Sequence, residues 1–326
     1  MQGKELSEQE TEAQSNVGID VCKSWLDVHV LPSGKTLRVP NTREGIRRLK
    51  RWLLRFELAL VVVEATGKWH RDLHRSLHAS AIPAAVVDPF RVRMFAKAQG
   101  IFAKTDRLDA RVLAQFAAVM RPATRPPAPQ VMQELAELVQ ARDSAVAEET
   151  ALKNQLSAAT GNFLKCQLKR RIERIAKEIA ALAREILRHI EADEALARRF
   201  AILTSIIGFG PVVAATLIAC LAELGTCSRG QIGMLAGLAP VADESGERKG
   251  IRVIWGGRPS VRRILYLAAV TAARYDPAMK AFFLRLTANG KPAKVAIIAI
   301  ARKLVVLANT LISENRTYAT QAPKHA

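Results

Sequence analysis

The sequence has few cysteines and no long uninterrupted apolar run. The four cysteines form no C-x-x-C pair and are scattered at Cys22, Cys166, Cys220 and Cys227. This usage argues against a structural zinc site and indicates a reducing compartment. The longest apolar stretch, residues 295–312, is interrupted by Arg302 and Lys303, so it falls short of the ~18 apolar residues that a membrane-spanning helix needs. The N-terminus has no signal-peptide or transit-peptide pattern. We therefore expect a cytoplasmic protein with no membrane partner.

Acidic residues are also scarce relative to basic ones. The 326 residues include 49 Lys and Arg against 30 Asp and Glu, which gives a formal net charge of +19. A chain this basic usually binds a polyanion, either nucleic acid or an anionic membrane surface. Residues 246–303 hold thirteen of the cations and only two acids, so we expect the phosphate-contacting surface there. No G-x-x-x-x-G-K-[ST] motif is present, and we predict no dependence on ATP.

The distribution of proline predicts a boundary between domains. Four prolines fall within residues 122–130, which predicts a stiff linker. Residues 17–121 alternate strand-like and helix-like segments, a pattern typical of a mixed α/β domain. The polar residues 1–16 before them are expected to be a disordered lead-in.

Two helical regions are predicted beyond the linker. Residues 131–200 contain no proline and keep apolar residues at helical spacing, with a break near Gly161. This pattern predicts a long helical coiled-coil arm and is equally compatible with an ordinary helical bundle. Residues 201–318 are predicted to form an all-α domain, followed by a tail at 319–326. The Ile206–Gly210 segment of that domain resembles a helix-hairpin-helix motif, and a plain glycine turn between packed helices fits it as well.

Four carboxylates of the α/β region stand out by their location. Asp20 lies in an apolar strand, Glu64 ends a buried apolar run, and Asp106 and Asp109 share one helix face at i and i+3. A carboxylate in an apolar strand is costly unless a cation compensates it. Acids from neighbouring strands and a helix can converge on a pair of Mg²⁺ ions that assist phosphoryl transfer. Each acid alone also fits a structural role, such as a helix cap or an ion pair with a nearby arginine.

The order of the motifs closely resembles the DEDD transposases, the insertion-sequence family guided by a bridge RNA and related to the Piv-type invertases. The likeness runs from about residue 17 to about residue 318. In the first half it rests on Gly18-Ile19-Asp20-Val21-x-Lys23, Glu64-Ala65-Thr66-Gly67 and Lys104-Thr105-Asp106-x-x-Asp109-Ala110. In the second half it rests on Ile206-Ile207-Gly208-Phe209-Gly210, Leu235-Ala236-Gly237-Leu238-Ala239-Pro240, Glu244-Ser245-Gly246 and Ser260-Val261-Arg262-Arg263-Ile264-Leu265-Tyr266.

The resemblance implies a recombinase with two chemical centres. The first domain would be RuvC-like, of the RNase H type, with Asp20, Glu64, Asp106 and Asp109 holding two Mg²⁺ ions. Ser245 matches the family's nucleophilic serine, which forms a covalent phosphoserine link to DNA. Expected partners are double-stranded donor and target DNA, a bridge-type non-coding RNA, and further copies of the chain in a homodimer or homotetramer. The resemblance also implies a bacterial, nucleoid-associated protein.

The nucleic-acid contacts are predicted from the basic residues that follow Ser245. We expect them at Arg248, Lys249, Arg252, Arg258, Arg262, Arg263, Lys291 and Lys294. Two other functions fit parts of the same pattern. One is an RNase H-fold nuclease or junction resolvase that uses water as the nucleophile, and the other is a non-catalytic basic DNA-binding protein.

Overall fold

The chain folds into two compact units, Met1–Ala128 and Pro129–Ala326. The boundary falls within the proline-rich segment 122–130. The computed structural model describes residues 14–103, 106–241, 244–245, 248–250 and 252–318.

The first unit is built on a mixed five-stranded sheet with the strand order β3-β2-β1-β4-β5. The strands are β1 (Ser15–Val21), β2 (Trp25–Leu31), β3 (Thr36–Pro40), β4 (Leu58–Glu64) and β5 (Ala84–Val87). Neighbouring strands are antiparallel from β3 to β1 and parallel from β1 to β5. The predicted mixed α/β class is confirmed. The first strand begins at Ser15, one residue before the predicted end of the lead-in at residue 16, and residues 1–13 lie outside the described part of the chain.

Two pairs of helices cover the two faces of this sheet. They are α1 (Arg43–Leu53), α2 (Arg71–His78), α3 (Pro89–Ala98) and α4 (Asp106–Met120). Helices α1 and α2 pack on the odd-numbered residues of β1 and β4, among them Ile19 and Val63. Helices α3 and α4 pack on the opposite face, which includes Val62. Thr42 is the N-cap of α1, since its hydroxyl oxygen accepts a hydrogen bond from the Gly45 amide at 3.2 Å.

The second unit begins with a helical hairpin. Helices α5 (Gln130–Ala158) and α6 (Asn162–Glu191) pack against each other, with the break at Gly161 where the sequence predicts it. The far half of the hairpin has a small core of its own, formed by Ala145, Leu152, Leu168 and Ile175. The near half contributes Leu135, Val139, Ile186 and Ile190 to the main core of the unit. The near half is thus continuous with the rest of the unit.

The predicted helical region 131–200 contains the start of a third helix. The second long helix ends at Glu191, and α7 (Glu194–Thr204) begins two residues later. The Asp193 carboxylate accepts a hydrogen bond from the Leu196 amide at 3.0 Å and so caps the new helix. Asp and Ser are preferred at this capping position because their side-chain oxygens satisfy amides that lack partners within the helix.

The remainder of the second unit is mostly helical, with α8 (Pro211–Cys220), α9 (Arg229–Leu235), α10 (Pro259–Tyr275), α11 (Pro277–Ala288) and α12 (Ala293–Ser313). The expectation of an all-α domain is wrong in one segment. Two-residue strands β6 (Pro240–Val241), β7 (Glu244–Ser245), β8 (Arg248–Lys249) and β9 (Val253–Ile254) form two antiparallel pairs, β6 with β9 and β7 with β8. Short antiparallel pairings within a loop of 23 residues, between α9 and α10, leave no helical periodicity for a sequence pattern to detect.

Helix α12 is the one helix of the described residues that is long and apolar enough to cross a membrane by length and composition. Half of its most apolar window is buried within the protein. Its fully buried residues, which include Ile300, Leu304 and Leu311, belong to the main core of the second unit. A buried core helix satisfies the same criteria, and the packing accounts for the apolar character of α12.

Candidate functional site

Asp20 and Glu64 lie side by side at the ends of two neighbouring parallel strands. The register pairs Ile19 of β1 with Val63 of β4, so the next residues along both strands are these two acids. Paired strands lie ~4.8 Å apart, and residues at the same register position share a face of the sheet. Both carboxylates are half-buried and face the α3 and α4 side, because Ile19 and Val63 face the α1 and α2 side. Two half-buried acids thus occupy one edge of the sheet.

A third acid, Asp27, continues the same row on the neighbouring strand. It is the antiparallel partner of Asp20 and pairs in turn with Arg38 of β3. The Arg38 guanidinium donates to the Asp27 carboxylate at 2.9 Å, which partly neutralises this acid. Sequence reasoning did not select Asp27, because its place opposite Asp20 depends on the register between β1 and β2 rather than on the alternating pattern of β2 alone. Asp27 is thus held in an ion pair within the sheet.

Helix α4 carries the other two predicted acids and lies directly against β1. A side chain at Gly18 would overlap the Ala110 carbonyl oxygen and the Ala114 amide nitrogen, and its Cβ would lie 2.7 Å from the Leu113 Cβ. Only glycine permits this approach of the helix backbone to the strand. Gly18 and Asp20 share a face of the sheet, ~6.6 Å apart along the strand.

The packing of α4 brings Asp109 to the same part of the first unit. Asp109 immediately precedes Ala110, the residue that covers Gly18, and its side chain is half-buried. Asp106 begins the helix one turn earlier, and its side chain lies outside the described atoms. Among the described side chains, no group of three or more His, Cys, Asp or Glu residues is placed to hold a metal ion. Asp20 and Glu64 thus lie on adjacent strands and the start of α4 lies against the strand that carries Asp20, while the described acids do not converge into a three-ligand group.

A further carboxylate near this edge has a structural task. Asp88 follows β5, the strand beside β4, and sequence reasoning did not select it. Its carboxylate accepts a hydrogen bond from the Phe90 amide at 2.7 Å and thus caps α3. The dipeptide Asp88-Pro89 at the start of a helical pattern is a sequence signal for this role.

Ser245 lies in the second unit, in the short β-ribbon between α9 and α10. It pairs with Arg248 across the ribbon, and Glu244 pairs with Lys249. The backbone of these residues is described, whereas their side chains and residues 246–247 are not. The predicted contact residues Arg248 and Lys249 are therefore placed on the strand opposite Ser245 by backbone register alone.

Three of the other predicted nucleic-acid contacts form hydrogen bonds within the protein. Arg258 makes a bidentate ion pair with Glu223 at 2.6 and 2.7 Å, and this hydrogen bonding raises the pKa of the guanidinium. Arg262 donates to the Gly256 carbonyl at 2.8 Å, and Arg263 pairs with Asp143 at 2.5 Å. The remaining three predicted contacts are exposed, at Arg252, Lys291 and Lys294. Arg258 thus joins the α8–α9 connection to the start of α10, a structural role that the sequence did not indicate.

The chain matches two family models in the order of its two halves. Residues 17–160 match a DEDD-type model described as a transposase, and residues 200–284 match the model described as the transposase IS116/IS110/IS902 family. The chain belongs to this transposase family. The resemblance inferred from the motifs is thereby confirmed, and this transposase is a DNA-recombining enzyme of the insertion-sequence type.

Relatives of this transposase include two invertases that align over nearly their whole length. The pilin gene-inverting proteins of Moraxella bovis and Moraxella lacunata are each 26% identical over 320 residues, covering 94% of this chain and 98% of theirs. The 42 kDa protein of insertion element IS900 from Mycobacterium paratuberculosis is 29% identical over 160 residues, covering 45% of this chain and 38% of that protein. The relatives therefore include gene-inverting proteins and a protein of an insertion element.

Proposed function

We propose that this transposase cuts and rejoins DNA by Mg²⁺-dependent phosphoryl transfer, with Ser245 as a covalent nucleophile. The observation that carries the proposal is that Asp20 and Glu64 follow the paired residues Ile19 and Val63 on neighbouring strands of a DEDD-type domain. Carboxylates this close to each other favour a cation between or beside them. The strand ends are also where an α/β sheet binds its ligands.

The donor set fits a hard divalent cation. Asp20, Glu64 and Asp109 supply only carboxylate oxygens, the ligand type that Mg²⁺ prefers, and Asp106 would complete the four. Two ions are expected in such a site, where they would stabilise charge on the phosphoryl oxygens. Gly18 contributes by letting α4 lie against β1, which holds Asp109 near the strand that carries Asp20.

Ser245 is proposed to attack a DNA phosphate. A bond forms between the serine oxygen and phosphorus while the ester bond to one deoxyribose oxygen breaks. The serine proton passes to a base, and the departing sugar oxygen takes up a proton. The phosphoserine ester keeps the energy of the broken bond, so rejoining by the reverse attack needs no ATP.

Membership of this transposase family is our basis for proposing its binding partners. We expect double-stranded donor and target DNA, a bridge-type RNA that guides the choice of target, and a homodimer or homotetramer. The α5–α6 hairpin, proposed to act as a coiled-coil arm, is the element we assign to assembly. We also propose that the protein acts in the bacterial cytoplasm, at the nucleoid.

A pair of variants tests the chemistry. Asp20→Asn should lower the rate of strand cleavage about a thousandfold and leave DNA binding within about threefold of the wild type, because the acid acts on the reaction rather than on the phosphate backbone. Ser245→Ala should abolish both cleavage and the covalent protein–DNA adduct on a denaturing gel. An RNase H-fold nuclease that uses water would keep its cleavage activity in Ser245→Ala, and that result would overturn the serine mechanism. A basic DNA-binding protein would show no cleavage in any form.

A further inference from the structure

The first unit has a second charged surface on the opposite side of the sheet from Asp20 and Glu64. Helices α1 and α2, which cover that side, enclose an open groove of about 630 Å³. The groove is lined by Arg43, Ile46, Arg47, Asp72, Arg75 and Ser76. Three guanidinium groups from two helices thus face one concavity that contains a single carboxylate.

Helix geometry places three cations on the groove side of α1. Arg43, Arg47 and Lys50 lie at i, i+4 and i+7, and such residues share a helix face. The Lys50 ammonium donates to the Ser80 hydroxyl at 2.9 Å, which joins the end of this face to the residues just after α2. The Arg43 and Arg47 Cα atoms are separated by ~6 Å of axial rise. Arg43 and Arg47 therefore form a row along the groove, and Lys50 lies on the same helix face beyond the lining residues.

The one acid of the groove offsets little of this charge. Asp72 and Arg75 approach each other at 3.8 Å, and the Asp72 side chain is 81% exposed. Exposed pairs at such distances contribute little energy and are screened by salt. The segment from Arg43 to Arg55 adds to the field, since it contains six Lys and Arg against one Glu.

We propose that the α1–α2 groove binds the phosphodiester backbone of a nucleic acid. The inference rests on the proposed function as a DNA recombinase, and it assigns a site that lies outside the expected contacts of the second unit. A concave surface with several cations focuses the electrostatic potential on a polyanion, and arginine matches phosphate geometry by its paired donors. The groove and the carboxylate pair face opposite sides of the sheet, so the groove holds a segment of nucleic acid other than the one that reacts.

The test compares two double variants of the same segment. Arg43→Gln/Arg47→Gln removes two groove cations, and Arg48→Gln/Arg55→Gln removes two other exposed cations that do not line the groove. Affinity is measured with the full chain in EDTA, against a short duplex DNA and a hairpin RNA of random sequence. We expect the groove variant to lose about tenfold in affinity and to reduce the slope of log affinity against log salt by one to two, at ~0.9 per phosphate contact. The control variant should change by less than about threefold.

A third variant and the two nucleic acids sharpen the result. Arg75→Gln removes the groove cation of α2 and should weaken binding in the same direction as the α1 pair. A loss confined to the DNA arm or to the RNA arm upholds the groove and identifies the source of the backbone. Equal losses in the groove and control variants, or no loss in either arm, would overturn the proposal.

The binding assay also separates this proposal from the proposed function. If the groove variant loses affinity although the wild type never cleaves DNA, the binding site in the groove is supported and the recombinase chemistry is contradicted. If cleavage depends on Asp20 while the groove variant binds normally, the chemistry is supported and the binding site in the groove is contradicted.

Discussion

The two faces of the sheet in the first unit carry different charged groups. The α3–α4 face holds Asp20 and Glu64 at the ends of two parallel strands, and α4 lies so close to β1 that Gly18 has no room for a side chain. The α1–α2 face is joined to the sheet by large aliphatic side chains and presents arginines to the solvent. One sheet can therefore separate a site for chemistry from a surface for binding, because side chains alternate between its faces.

We expect the largest loss of activity on neutralising Asp20. This variant tests whether cleavage requires this particular carboxylate or only the net charge of the row of acids. Asp20→Asn should lower the rate of strand cleavage by about a thousandfold, or ~4 kcal/mol in activation free energy, because a metal-binding charge is lost. Asp27→Asn is the matched control on the neighbouring strand, where Arg38 already pairs with the acid. It should change the rate by less than about fivefold. Single-turnover cleavage of labelled DNA measures both. Equal losses in the two variants would show that net charge on the row, rather than Asp20, sets the rate.

The packing of helices on the two faces of the sheet can be compared through the stability of two variants. Gly18→Ala should lower the free energy of unfolding of the first unit by about 3 kcal/mol, because the new methyl group overlaps the α4 backbone. Leu49→Ala removes a fully buried side chain from α1 on the opposite face and should cost a similar ~3 kcal/mol. Denaturant unfolding followed by the fluorescence of Trp25, Trp52 and Trp69 reports on this unit.

The two packing variants should differ in activity. The folded fraction of Gly18→Ala should cleave DNA slowly, since α4 and its acids must move away from β1. The folded fraction of Leu49→Ala should cleave at nearly the normal rate, since its cavity lies on the α1–α2 face. Comparable cleavage by both variants, at matched folded fraction, would show that the position of α4 does not control the site.

We expect a smaller loss of stability on removing the N-cap of α1, the helix that carries Arg43 and Arg47. Thr42→Ala removes the hydroxyl that accepts the Gly45 amide, and N-cap losses cost about 1 kcal/mol. Thr42→Ser keeps the hydroxyl and should recover most of the stability. Hydrogen exchange of the first amides of α1 measures the effect locally. Unchanged exchange in Thr42→Ala would mean that packing of α1 on the sheet, and not the cap, holds its first turn.

Much of the first unit could be predicted from sequence because its signals are local. The apolar run that ends at Glu64 predicts a strand buried on both faces, and the spacing that begins at Asp106 predicts α4 with the bounds it has. The pairing of Asp20 with Asp27 depends on register between strands, and the need for glycine at Gly18 depends on the approach of a helix 90 residues later. Neither is written in a local pattern.

The second unit was harder to predict for a related reason. The helical pattern of 131–200 does not tell which helices share a core, so the integration of Leu135 and Ile190 with α8 and α12 appears only in the folded packing. The strands around Ser245 are two residues long, too short for any periodicity. Ser245 itself was selected by family resemblance, and its role stays a prediction.

The ion pair between Arg38 and Asp27 should contribute least to stability. Removing Arg38 tests whether this pair supports the fold. Arg38→Gln removes the partner of Asp27, whose side chain is 16% exposed, whereas that of Arg38 is 52% exposed. A half-exposed arginine gives a screened interaction, so the unfolding free energy should fall by less than ~1 kcal/mol, and less at high salt. If Arg38→Gln instead slows cleavage strongly while stability is unchanged, the neutralisation of Asp27 matters to the chemistry of Asp20 beside it. The row of acids would then act as one electrostatic unit, and the contrast between Asp20 and Asp27 would be one of degree.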